Sequence, residues 1–145
     1  NYGIFPEIEI RNAADINGAN GAYGAATNRI YLSREFLQAN LGNIESVVGL
    51  LLEEIGHRVD NILNHSDSAG DEGAIFSDLV RGEKLSSQQL QYLREEEDKT
   101  VIELDGQNIE IEKQDFTGNA GNDNITGTGG DDLILGLGGN DTLSG

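Results

Sequence analysis

Apolar and polar residues alternate through Ile4-Phe5-Pro6-Glu7-Ile8-Glu9-Ile10, a period of two that predicts a half-buried strand. Asn12 to Ala26, rich in Gly, Ala and Asn, reads as a loop, and Asn28-Arg29-Ile30-Tyr31-Leu32 predicts a second short strand. Ser33 is placed to cap a short helix through Asn40, with Gly42 just past its end. From about Ile44 to Leu63 the period becomes helical. Val48, Leu51, Ile55, Val59 and Ile62 form one apolar stripe, which predicts a long central helix with that stripe against a core. Asn64 to Gly73 is a polar loop, followed by a helix over about Ala74 to Val80 that Gly82 stops. Ser86-Ser87-Gln88-Gln89 has the form of a capping box opening a helix to about Glu97. Val101-Ile102-Glu103-Leu104 and Asn108-Ile109-Glu110-Ile111 flank Asp105-Gly106-Gln107, the signature of a β-hairpin. Together these elements predict an α+β domain over residues 1–116, three or four helices on a small sheet.

Polar residues interrupt the central helix at helical spacing. Glu53 and His57 are i and i+4, so they project from one face a turn apart, and Asp60 and Asn64 continue that stripe. A carboxylate and an imidazole lodged in so apolar a helix need a partner, and a metal ion fits both. Gly56 lies between them, where a glycine costs about 1 kcal/mol relative to Ala, so a close packing contact is expected to require it.

After Gly118 the pattern changes again. Aspartates recur at Asp123, Asp132 and Asp141 and aliphatics at Ile125, Ile134 and Leu143, a nine-residue period held through three units. Each unit matches G-G-x-G-x-D-x-U-x, with Asn119, Thr128 and Leu137 at the second Gly. The glycine-rich half permits a tight turn with inward carbonyls, and each Asp supplies a hard oxygen donor. Residues 117–145 therefore resemble the nonapeptide repeats of RTX (hemolysin-type) calcium-binding proteins. That resemblance implies a parallel β-roll with Ca²⁺ held between turns by Gly121, Asn122, Asp123, Gly130, Asp131, Asp132, Gly139, Asn140 and Asp141. It also implies release from a bacterium by type I secretion, to the extracellular space or cell surface.

The helix motif carries a second resemblance. Glu53-Glu54-Ile55-Gly56-His57 is similar to the H-E-x-x-H signature of zincin metallopeptidases, with Glu53 where the first His belongs. The resemblance implies Zn²⁺ held by Glu53 and His57, Glu54 as general base, and a peptide or protein substrate. The zincin pattern also calls for an edge strand before the helix, and Tyr23 to Leu32 reads as one. A third ligand from a following helix, as in the gluzincin subgroup, falls on Glu72, with His65 and Asp71 as alternatives. Two functions stand open. One is a peptidase; the other is a non-catalytic calcium-binding surface or adhesion module whose metallopeptidase site has degenerated.

Composition narrows the partners. Nine Lys and Arg against 26 Asp and Glu give a formal charge of −17, which argues against nucleic acid and anionic membranes and favours cations. There is no cysteine, so neither disulfides nor thiol chemistry contribute. No apolar run approaches the ~20 residues of a membrane span. The chain opens on Asn1 and has no methionine, and is expected to be a piece of a longer protein.

Overall fold

Each short strand takes its place from what must cover its two faces. The computed structural model describes residues 5–64, 70–95, 99–113, 116–117, 124–126, 134–135 and 140–144. Five strands in it form one mixed sheet: β1 (Glu7–Arg11), β2 (Gly21–Gly24), β3 (Arg29–Ser33), β4 (Lys99–Leu104) and β5 (Gln107–Lys113). Their order is β1-β3-β2-β5-β4, with β1 parallel to β3 and every other pair antiparallel. The hairpin between β4 and β5 turns on Asp105 (φ 53°) and Gly106 (φ 79°), the left-handed pair that a two-residue type I′ loop demands.

The pleat divides the core in two. Ala22, Tyr31, Ile102, Leu104, Ile109 and Ile111 bury one face of the sheet against Ile16 and Ala19. Tyr23, Ile30 and Leu32 occupy the other face, beneath Leu50, with Phe36, Leu37, Leu51 and Ile55 packed around them. β2 corrects the loop expected over Asn12 to Ala26. All four of its residues, Gly-Ala-Tyr-Gly, are buried, so no polar alternation marks it. A Cβ on Gly21 would lie 2.5 Å from Glu54 Oε1 and 2.7 Å from Leu50 Cδ1, so the small residue is what lets a helix cross the strand. The strand segment expected at a sheet edge is likewise interior; β1 and β4 form the edges.

Four α-helices lie among the described residues, α1 (Arg34–Ala39), α2 (Ile44–Leu63), α3 (Glu72–Arg81) and α4 (Ser87–Glu95), besides one 3₁₀ turn over Ala13–Ile16. Ser33 caps α1 by accepting from the Phe36 N–H at 3.0 Å. Asn40 is the C-cap of α1 and closes its last turn on the Phe36 carbonyl, with Gly42 two residues beyond. Gly82, in the left-handed region at φ 77°, ends α3 as anticipated. At α4 the capping box forms in both directions: Gln89 N–H donates to Ser86 Oγ at 3.2 Å and Ser86 N–H donates to Gln89 Oε1 at 2.8 Å.

α2 spans the expected residues, and Leu51 and Ile55 of its apolar stripe pack against the core. The helix is rolled, however, so that its fully buried positions lie beside that stripe. Gly49, Leu50, Glu53, Glu54, Gly56 and His57 are its buried positions, whereas Val48 is 42 % exposed. Gly56 explains the roll: a Cβ there would lie 2.8 Å from Gly73 Cα and 2.8 Å from Phe76 Cβ. The two helices therefore touch backbone to backbone at Gly56 and Gly73. A turn further along, Ser77 Oγ donates to the Gly49 carbonyl at 2.9 Å.

Beyond β5, β6 (Phe116–Thr117) pairs parallel with β8 (Ile134–Leu135), and β7 (Asn124–Thr126) pairs parallel with β9 (Thr142–Ser144). Phe116 lies opposite Ile134 and Ile125 opposite Leu143, an offset of 18 residues, or two repeat units. Among the described residues no helix is long and apolar enough to cross a membrane.

Candidate metal centre

The site lies where α2, the start of α3 and β5 meet. One ligand atom from each of Glu53, His57 and Asp71 falls within 4.8 Å of the others, and all three residues are buried. Glu53 and His57 stand a turn apart on α2, as their spacing requires. Asp71 arrives from the N-cap of α3, where its Oδ1 accepts from the Ala74 N–H at 2.7 Å. Its own N–H donates to the Leu93 carbonyl of α4 at 2.5 Å. Gly70, at φ 127°, fits against the Arg94 backbone, where a Cβ would lie 2.7 Å from Arg94 Cα. Asp71 is thus fixed from two helices. Its Oδ1 lies 3.7 Å from His57 Nε2.

Gly73 admits this geometry. A Cβ at that position would lie 2.5 Å from His57 Nε2 and 2.6 Å from the Glu53 carbonyl oxygen. On its other side, His57 Nδ1 lies 3.2 Å from Glu112 Oε2, on β5. Lys99 Nζ lies 3.8 Å from Glu112 Oε1, across the hairpin. Tyr23 is the residue opposite Glu112 on β2; burial raises its hydroxyl pKa, against the lowering effect of Arg58.

The electrostatics are those of a group that could hold a cation. Glu53, Glu54, His57 and Asp71 are 5, 0, 1 and 2 % exposed. Burial pushes the Glu53 carboxyl well above its ordinary range, and the charges of Asp71 and Glu54 push it further; His57 opposes them. Asp78, itself raised by burial against the pull of Arg81, adds to the negative field. Three buried acids beside one imidazole favour protonation or a bound cation. The donor set fits a divalent metal: one imidazole nitrogen and two carboxylates from protein, with Glu112 behind the histidine. Glu54 faces β2, its Oε1 beneath Gly21.

The structure brings Glu53, His57 and Asp71 together and leaves Glu72 out of the group. Glu72 is a half-buried residue in the first turn of α3. His65 lies outside the described residues, as do Gly121, Asn122, Asp123, Gly130, Asp131, Asp132 and Gly139 of the repeats. Asn140 is exposed and Asp141 half-buried. Sequence reasoning missed Glu112. The only trace of it is the alternation of β5, which sets it on the face opposite Ile111; the pairing with β2 then carries that face under α2.

Residues 117–145 match the family model of the RTX calcium-binding nonapeptide repeat (4 copies). The match covers the repeat tail alone, and it implies calcium binding there. No curated protein and no solved structure matches the chain.

Proposed function

We propose that the chain belongs to a secreted, calcium-binding RTX protein whose residues 1–116 form a zincin-like domain with a zinc centre, followed by the start of a β-roll over 117–145. The convergence of Glu53, His57 and Asp71 at one buried point carries this reading. Asp71 replaces Glu72 as the third ligand in it. Three protein ligands, rather than four, are the number that leaves a metal position for substrate. A zinc ion held there would supply Lewis acidity toward a peptide carbonyl. Glu54, next to Glu53 on α2, would take the proton from the attacking water and return it to the departing amine, and Glu53 and Asp71 would supply the negative charge that retains the cation. For the tail, the two-unit offset of its parallel strands supports a β-roll with calcium between turns.

Near-complete burial of the four central residues favours a second reading, a non-catalytic metal centre that ties α2 to α3 beside a calcium-binding tail. One set of measurements separates the two. Elemental analysis of the purified chain is expected to give one zinc per molecule, with calcium bound in addition by the tail. Glu54→Gln is expected to keep the zinc and lose peptide hydrolysis. Unchanged turnover in that variant refutes the catalytic role; zinc without turnover in the wild type selects the structural centre; absence of zinc refutes both.

A further inference from the structure

Glu112 stands on β5, remote in sequence from the helix motif, yet its carboxylate closes on the histidine from behind. His57 Nδ1 is 3.2 Å from Glu112 Oε2, while His57 Nε2, on the far side of the ring, is 3.7 Å from Asp71 Oδ1. A neutral imidazole carries one N–H and one lone pair, and the group that accepts the proton decides which nitrogen keeps the lone pair. A carboxylate has no proton to donate, so Glu112 at this distance draws the proton to Nδ1 and leaves the Nε2 lone pair facing Asp71. We propose that Glu112 is a positioning residue for the metal centre, fixing the tautomer and ring plane of His57 so that Nε2 meets the cation.

Three features of the strand support the assignment. The side chain of Glu112 is 14 % exposed, whereas Glu110, two residues earlier on the same face of β5, is 67 % exposed; only the later residue reaches beneath α2. Its Cα partners are Tyr23 on β2 and Lys99 on β4, so strands on both sides fix its place. Lys99 Nζ, 3.8 Å from Glu112 Oε1, offsets the fourth carboxylate brought to an already acidic site. Orienting carboxylates of this kind change metal affinity by about 10–100-fold when removed.

The inference rests on the metal-centre reading above, and the experiment keeps the two apart. Zinc affinity of the full chain is measured by chelator competition for wild type, Glu112→Ala, Glu112→Gln and, as a control on the same strand face, Glu110→Ala. Thermal unfolding in excess chelator reports any loss of fold. Glu112→Ala is expected to weaken zinc binding about 10–100-fold. Glu112→Gln, whose amide oxygen still accepts from Nδ1–H, is expected to recover most of that loss. Glu110→Ala is expected to bind as wild type. Long-range proton–nitrogen NMR of the chelated protein is expected to show His57 protonated at Nδ1 in wild type and a tautomer mixture in Glu112→Ala. Equal zinc affinity in wild type and Glu112→Ala overturns the positioning role and leaves the metal centre standing. A wild type that takes up no zinc overturns both. A Glu112→Ala variant that loses affinity only in proportion to lost thermal stability, with the tautomer unchanged, overturns the positioning role as well.

Discussion

Substituting Gly56 by Ala sets two effects of comparable size against each other. In isolation the helix gains, because a mid-helix Gly costs about 1 kcal/mol relative to Ala. The new methyl, however, would lie 2.8 Å from Gly73 Cα, 2.8 Å from Phe76 Cβ and 3.0 Å from the Gly73 carbonyl oxygen. Two of those atoms are backbone, so no rotamer change relieves the contact and α3 must move away from α2. Overpacking costs about 1–3 kcal/mol, and backbone contacts lie at the upper end of that range. The net expectation is a loss of about 1–2 kcal/mol. For a body of this size that lowers the unfolding midpoint by about 4–8 °C. Far-UV circular dichroism during heating, in chelator, measures it. Gly42→Ala supplies the control: a Cβ at Gly42 meets nothing within 4 Å and its φ is not positive. Ala there is expected to stabilise by about 0.4–1 kcal/mol, by narrowing the unfolded ensemble. Because α3 carries Asp71, Gly56→Ala is also expected to weaken zinc binding. A Gly56→Ala midpoint at or above wild type would refute the close helix contact.

Asp71 has two roles that substitution can separate. Asn caps a helix as well as Asp does, so Asp71→Asn is expected to unfold near wild type in chelator yet bind zinc more weakly; Asp71→Ala is expected to lose about 1 kcal/mol of stability in addition. Identical zinc affinity in Asp71→Asn and wild type would remove Asp71 from the ligand set. A pH test applies at the hairpin. Arg11 Nη2 donates to Asp105 Oδ2 at 2.7 Å and holds that carboxyl below its ordinary 3.8. The depressed pKa contributes stability that is present above the unfolded value and is lost as pH falls through the folded one. Asp105→Asn, which tolerates the left-handed turn, is therefore expected to unfold at lower urea than wild type near neutral pH and to converge with it in acid. A urea gap that persists in acid, or that is missing near neutral pH, counts against this pair.

The sequence disclosed the long elements better than the short ones. α2 could be placed because a helical period runs the length of Ile44 to Leu63, and the β4–β5 turn because Asp105-Gly106 suits only a narrow set of backbone angles. β2 stayed hidden because a strand covered on both faces by tight neighbours needs small residues, and Gly-Ala-Tyr-Gly carries no alternation. The apolar stripe found only part of the buried face of α2, Leu51 and Ile55, since Gly56 and Gly73 draw the helices together on the side that carries Glu53 and His57. Choosing between adjacent acids is a matter of phase: Asp71 is the cap and turns back over the helix start, whereas Glu72 is already a helical residue about 100° further round. Glu112 depends on which strand β5 pairs with, a long-range fact that local pattern does not encode.

The two-unit offset of the tail strands has a consequence for how such a tail can lengthen. Among the described residues, successive strands join alternate ladders, β6 with β8 and β7 with β9, so strands adjacent in sequence are not partners. On that pairing, gaining or losing a single nonapeptide carries the strand of every later repeat onto the opposite ladder. Gaining or losing a pair leaves every later repeat in register. Repeat number along this architecture is therefore governed by parity, and tandem duplication preserves it most simply in steps of 18 residues, the spacing of Ile125 and Leu143.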